Sequence, residues 1–196
     1  MIDASSPLSM LNVSCPVCGY NNFREYAHGY DYEYMTSPEK FTFVRCNNCS
    51  VLYLNPRPAL EESGRIYPPE YEPYHFEKNS ITLNARKYLE VRKARKLTKN
   101  LKTGARILDA GCGGSAFLDC LKKAGEGKWE LWGNDIDANT CRAVADAGYF
   151  AVQGRLEEIT LENDFFDIIF MKQIIEHVDN PQAVINKAFC LLKAGG

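Results

Sequence analysis

The chain has 196 residues, 45% of them apolar and 24% charged, with a formal net charge of −2. That is enough for one sizeable core, or a core and a small satellite, and is ordinary for a soluble globular protein. The charge argues against a generic nucleic-acid binder, whose domain is usually strongly basic. No apolar run approaches the ~20 residues that span a bilayer.

The N-terminus, "MIDASSPLSMLNVS", lacks the basic start and long apolar run of a secretory signal, so a cytoplasmic location is the default expectation. Cys15, Cys18, Cys46 and Cys49 then form two C-x2-C pairs, separated by 27 residues, among β-prone pieces such as "FTFVRC" and "VLYL". In a reducing compartment such pairs point to metal rather than to disulfides. Two tight turns carrying four thiolates complete a closed tetrahedron, which predicts a structural site. Zinc is favoured, and a rubredoxin-like iron site uses the same ligands. Gly19 follows the first pair, where a knuckle favours a residue tolerant of unusual dihedrals; Ser50 takes that place after the second. We read residues 13–55 as a zinc ribbon.

Residues 56–78 are rich in proline and tyrosine and read as an irregular linker. Within them Tyr67, Tyr71 and Tyr74 are candidates for packing or for closing over a substrate, and His75, like the earlier His28, reads as a surface or packing residue.

From residue 79 the texture becomes regular α/β. Asn79 or Ser80 can cap a helix whose apolar positions Ile81, Ala85, Tyr88, Leu89, Ala94, Leu97 and Leu101 fall near helical spacing, with a basic face that reads as solvated. Next come a strand "ARILD", a helix over Ser115–Lys123, a strand "ELWGND" and a helix over Ala138–Asp146 ended by Gly148. Strands "FAVQ" and "FDIIFM" follow, then a helix opening at Asn180-Pro181. This alternation predicts a parallel sheet flanked by helices, over residues 79–196. The glycine pair in the closing "LLKAGG" normally turns into another strand, so the sheet reads as incomplete.

The chemistry concentrates in "RILDAGCGGSAF", Arg106 to Phe117, where a short strand runs into a glycine-rich loop. A Walker loop would carry Lys after its glycines, and this one does not. The dinucleotide pattern G-x-G-x-x-G/A can be read as Gly111, Gly113 and Ala116, but Asp109 beside the loop would repel a pyrophosphate and suit a cationic amino group. Asp135, 24 residues after Gly111, ends the next strand, where a carboxylate accepts hydrogen bonds from ribose hydroxyls. A nucleoside with a positively charged end satisfies both acids, and S-adenosylmethionine is such a ligand.

"ILDAGCGGSAFL", "GNDID", "FDIIFMKQIIEHVDNP" and "LLKAGG" resemble successive motifs of class I S-adenosylmethionine-dependent methyltransferases. "CPVCG", "RCNNCSVLYLNPRP" and "IYPPEY" resemble the subgroup that carries a zinc-binding domain ahead of the catalytic core, which includes sugar C-methyltransferases. The resemblance covers about residues 15 to 196. It implies a Rossmann-like methyltransferase core whose C-terminal strands, the fifth to seventh, are missing, preceded by a small zinc ribbon. By resemblance, Asp109, Gly111 and Gly113 hold the methionine portion of the cofactor, Asp135 the ribose, and Ile136 the adenine face. Arg155 and Leu156, after the third strand, occupy the adenine-edge position, and Met171 to Gln173, just past the fourth, line the methionine side.

Two departures stand out. Ser115 replaces the third glycine of the family's usual loop. Gln173 replaces the first acid of the E-x-x-E-H pattern by which some relatives hold a divalent metal, which argues against a second metal. His177, with Glu176 beside it, lies where open α/β sheets bind ligands and is the candidate general base, against the plainer role of orienting its loop. The expected function is methyl transfer to a small-molecule acceptor, including sugars or sugar nucleotides. The rival readings are an NAD(P)-dependent oxidoreductase and a non-catalytic zinc-ribbon binding module. A fourth core strand without a neighbour would also favour self-association.

Overall fold

The computed structural model describes residues 6–32, 34–66 and 81–196. Tyr67, Tyr71, Tyr74, His75 and the helix-capping candidates Asn79 and Ser80 lie outside the described residues. The chain divides into two compact units, Met1–Phe76 and Glu77–Gly196.

The first unit contains β1 (Met10–Leu11), β2 (Phe23–Gly29), β3 (Phe41–Cys46), β4 (Leu52–Leu54) and β5 (Arg57–Pro58). Strands β2, β3 and β4 form an antiparallel sheet in that order, with an irregular register between Glu25 and Ala27, and β1 pairs antiparallel with β5. Alternation along β3 sends Val44 and Cys46 to one face, where they join Cys15 and Tyr53 in a small buried cluster. The stretch read as an irregular linker contains β5, a 3-10 turn over Leu60–Glu62 and the short helix α1 (Ser63–Ile66). Strand pairing of β5 with β1 and an Arg65–Glu62 ion pair at 3.1 Å order it, where composition alone suggests only a connection.

The second unit runs α2 (Ile81–Leu97), β6 (Arg106–Ala110), α3 (Ala116–Ala124), β7 (Glu130–Asp135), α4 (Ala138–Asp146), β8 (Phe150–Gln153), β9 (Ile168–Met171) and α5 (Pro181–Leu191). Its four strands are parallel in the order β8-β7-β6-β9. The middle strand β6 shows why: its residues are buried on both faces, as a central parallel strand requires. Leu108 and Ala110 pack with Phe166, Val184, Ala188 and Leu191 on the α5 side, while Ile107 packs with Ala94, Leu118, Leu121 and Val144 on the other. Helices therefore cover both faces, as expected.

Local signals set the helix starts. Asp137 caps α4 by accepting the Thr140 N–H at 2.7 Å, and Asn180 caps α5 by accepting the Ala183 N–H at 3.0 Å with Pro181 as first helical residue. The last expected strand is shorter than "FDIIFM". Phe166 instead bridges in parallel to Leu192 past α5, and Asp167 turns its carboxylate onto the Arg106 N–H and Lys193. The apolar face expected of α2 is also corrected. Ala94 is buried, but Tyr88, Leu89 and Leu97 are more than half exposed, because α2 joins the core it shares with α3 through its Ala94 side.

Candidate functional site

The loop after β6 crosses the C-terminal ends of the parallel strands, the position where open α/β sheets bind ligands. Gly111 has φ +63, and a Cβ there would run into the side chain of Ile174, so the loop passes close against the segment that follows β9. Gly113, at φ +58, turns its N–H toward β7, where it donates to Oδ2 of Asp135 at 2.9 Å. The other oxygen of Asp135 accepts the Asp137 N–H at 3.0 Å, and the Cys112 N–H donates to the Asn134 carbonyl at 3.0 Å. The loop and the end of β7 are thus one hydrogen-bonded piece. Ile136, next to Asp135, is 70% exposed and offers a free apolar face beside that carboxylate.

Asp109 pairs in register with Gly133 on one side and Phe170 on the other, and is 2% exposed. Burial raises its carboxyl pKa to about 7; Lys172 opposes the rise and Asp135 adds to it. No described residue donates a hydrogen bond to it. A buried acid in this state gains from a cationic ligand group, so the two carboxylates suit a ligand that carries an ammonium and further hydrogen-bond donors. Cys112, in the same loop, is pushed up to about 12 by burial and is no nucleophile.

The remaining sequence-predicted residues are placed unevenly. Asn134 Nδ2 donates to the carbonyls of Val152 and Gly154 at 3.0 and 2.8 Å, holding the turn that presents Arg155. Arg155 is itself engaged by Glu157 at 2.9 Å and Asp179 at 3.1 Å. Leu156 is buried in the α5-side core, which leaves its backbone for a ligand, and Met171 is partly buried against the same cluster. Met171 is the last residue of β9 rather than one beyond it. Gln173 is exposed at φ +56, in the tight turn that follows. Glu176 and His177 are exposed in the same segment, whose turn is closed by the His177 N–H donating to the Ile174 carbonyl at 2.9 Å.

Sequence reasoning placed Lys172 only within the span lining the methionine side, without a role for its charge, and passed over Glu90. Lys172 Nζ lies 2.9 Å from Oε2 of Glu90 and 3.8 Å from the centre of the Phe117 ring. Lys93 takes the other Glu90 oxygen at 3.0 Å. A lysine directly after the apolar strand "IIFM", adjacent to a buried acid in the neighbouring strand, was the available signal.

In the first unit the four paired cysteines converge. Their Sγ atoms all lie within 4.8 Å of one another, with Cys15–Cys49 at 3.5 Å and Cys18–Cys46 at 3.6 Å. These are far beyond the ~2.05 Å of a disulfide and near the ~3.8 Å edge of a tetrahedron built on metal–sulfur bonds of about 2.3 Å. The two knuckles repeat each other. Gly19 and Ser50 donate N–H bonds to the carbonyls of Cys15 and Cys46 at 2.9 and 3.0 Å, and Cys15 and Cys46 donate to Tyr20 and Val51 at 3.0 Å each. Ser50 adopts φ +63, close to the +71 of Gly19, so the serine accepts the left-handed turn that glycine makes in the first knuckle. The Asn48 N–H points at Cys46 Sγ at 3.4 Å. The Asn48 side chain, then the Tyr20 N–H, pull the Cys18 thiol down to about 6. The donor set suits a closed, tetrahedral thiolate-bound metal.

Residues 108–196 match the family model described as "Methyltransferase domain". Residues 108–196, a little under half of the chain, are thus similar to a methyltransferase domain. Among curated relatives, a ubiquinone biosynthesis O-methyltransferase of Bordetella avium is 29% identical over 102 residues, 47% of this chain and 40% of that protein. Another, from a Bradyrhizobium species, is 28% identical over 120 residues, 56% of this chain and 46% of that protein. The chain spans less than half the length of these relatives. Among solved structures, the plantazolicin methyltransferase BpumL, in complex with a pentazolic desmethylPZN analog and SAH, has a TM-score of 0.52 at 16% identity. That alignment covers 69% of this chain and 53% of BpumL, and shows a shared fold. The Rossmann-like methyltransferase fold expected from sequence is therefore the fold of this domain. Among the described residues no helix is long and apolar enough to cross a membrane.

Proposed function

We propose that this chain binds S-adenosylmethionine at the C-terminal ends of β6 and β7 and transfers its methyl group to a small-molecule acceptor. The observation that carries the reading is Asp109, a buried acid without a described hydrogen-bond donor, beside a loop pinned to Asp135. In this reading Asp109 accepts the ammonium of the methionine portion, and the backbone at Gly111 and Gly113 makes room for it. Asp135 takes the ribose hydroxyls in place of the Gly113 N–H, and Ile136 covers the adenine. Arg155 and the backbone at Leu156 border the adenine edge, and Met171 and Gln173 the methionine side. When bound, the cofactor supplies an electrophilic methyl on a sulfonium, so the protein's task is to align the acceptor in line with it.

An acceptor that must lose a proton needs a base. His177 is the proposed base, with Glu176 orienting the ring or stabilising its charged form. The acceptor class stays at a small molecule with a nucleophilic oxygen or carbon. The curated relatives named for ubiquinone O-methylation favour oxygen, and the likeness of the N-terminal cysteine knuckles to sugar C-methyltransferases favours a sugar.

For the first unit we propose one structural zinc held by Cys15, Cys18, Cys46 and Cys49, supported by the sulfur spacings and by the matched knuckles. Parallel calorimetric titrations with S-adenosylmethionine, S-adenosylhomocysteine and NAD test the cofactor reading. Binding of the first two without NAD is expected. Tight NAD binding with no response to S-adenosylhomocysteine would overturn it.

A further inference from the structure

The cofactor reading leaves one charge unanswered. The amino-acid end of S-adenosylmethionine carries a carboxylate as well as an ammonium, and Asp109 serves only the second. Lys172 stands one residue beyond the Ala110–Met171 pair of the β6–β9 ladder, so β9 delivers it alongside the loop that begins at Gly111. It acts electrostatically on Asp109 in the neighbouring strand. Its side chain is 44% exposed, so a ligand can reach the ammonium.

The setting of that ammonium is specific. Glu90 of α2 takes one N–H, and the Phe117 ring, in the first turn of the helix that follows the loop, faces it at 3.8 Å. An ammonium has three N–H donors, so it keeps donor capacity for a further acceptor. Left without one, a cation beside this loop would repel a ligand that itself bears a sulfonium and an ammonium. Paired with a carboxylate, the same cation contributes to binding.

Resting on the cofactor reading, we propose that Lys172 anchors the carboxylate of the cofactor's amino-acid end, so that Asp109 and Lys172 together read a zwitterion. Glu90 and Phe117 are its positioning partners, holding the ammonium by an ion pair and a cation–π contact.

The test compares wild type with Lys172→Met, which keeps an unbranched side chain and removes the charge, by calorimetric titration. S-adenosylhomocysteine and 5′-methylthioadenosine, the corresponding thioether without the amino acid, serve as ligands. Lys172→Met should lose about 10- to 100-fold in affinity for S-adenosylhomocysteine and stay within about twofold for 5′-methylthioadenosine, the range for hydrogen bonds to a charged group. Lys172→Arg should recover most of the loss. Equal losses for both ligands would make Lys172 a structural residue and overturn the proposal, as would unchanged S-adenosylhomocysteine binding. Wild-type protein that binds neither ligand would instead defeat the cofactor reading itself.

Discussion

The Gly113 N–H and the Asp135 carboxylate, 2.9 Å apart, join the glycine loop to the end of the neighbouring strand. The same carboxylate is the proposed ribose acceptor, so the loop is shaped by the group that the ligand will use. Asp135→Ala should weaken S-adenosylhomocysteine by about 1.5–3 kcal/mol, the usual range for hydrogen bonds to a charged group. Asp135→Asn, which can still accept the Gly113 N–H, should keep the loop and lose less. Calorimetry that finds the alanine variant binding like wild type would remove Asp135 from the site.

Asp109 makes stability depend on pH. Its folded pKa, about 7, lies above the unfolded value near 3.8, so the folded state binds the extra proton and its stability falls as pH rises through about 7. Lys172 and Asp135 are the charged groups acting on it, in opposite senses. Asp109→Asn should flatten the loss of melting temperature between pH 5 and pH 8 and melt above wild type at the alkaline end. The same variant should lose S-adenosylhomocysteine affinity. Parallel pH–melting profiles for the two proteins would contradict the assignment.

One zinc per chain is expected on elemental analysis. Cys15→Ser should unfold the first unit, where Cys15 is buried with Cys46, Val44 and Tyr53, and leave the far-UV signature of the α/β unit largely intact. Protein without stoichiometric metal would sink the zinc proposal.

His177→Ala should lower turnover by ~10²–10⁴, the usual share of general-base catalysis, while S-adenosylhomocysteine affinity barely changes. A histidine that only orients its loop predicts the reverse, with cofactor binding and stability lost together. Near-normal turnover in a folded variant would take His177 out of the mechanism.

Among the described residues β6 is the one strand paired with β9 along Ile168–Met171, and an open strand edge invites pairing with another chain. Sedimentation velocity should show association that grows with concentration. A monomer at the highest concentrations would show that this edge is protected.

The sequence by itself determined the features whose causes lie within a few residues. The limits of β7, α4 and β8, the Asp137 and Asn180 caps and the two C-x2-C knuckles are of this kind, because capping, period-2 alternation and turn chemistry act locally. The candidate loop was legible for the same reason: its glycines and the strand-end acids Asp109 and Asp135 announce themselves in order. The tertiary structure alone decided which faces those elements bury. Tyr88, Leu89 and Leu97 keep helical spacing yet stay exposed, since α2 packs through Ala94, and Leu156 points into the core rather than toward a ligand. It also decided the Lys172–Glu90 pair, formed across 82 positions of sequence. Two charges so far apart in the chain meet only once β9 has been laid beside β6 and α2 folded against α3. No local pattern encodes that meeting, because its cause is the packing of whole elements.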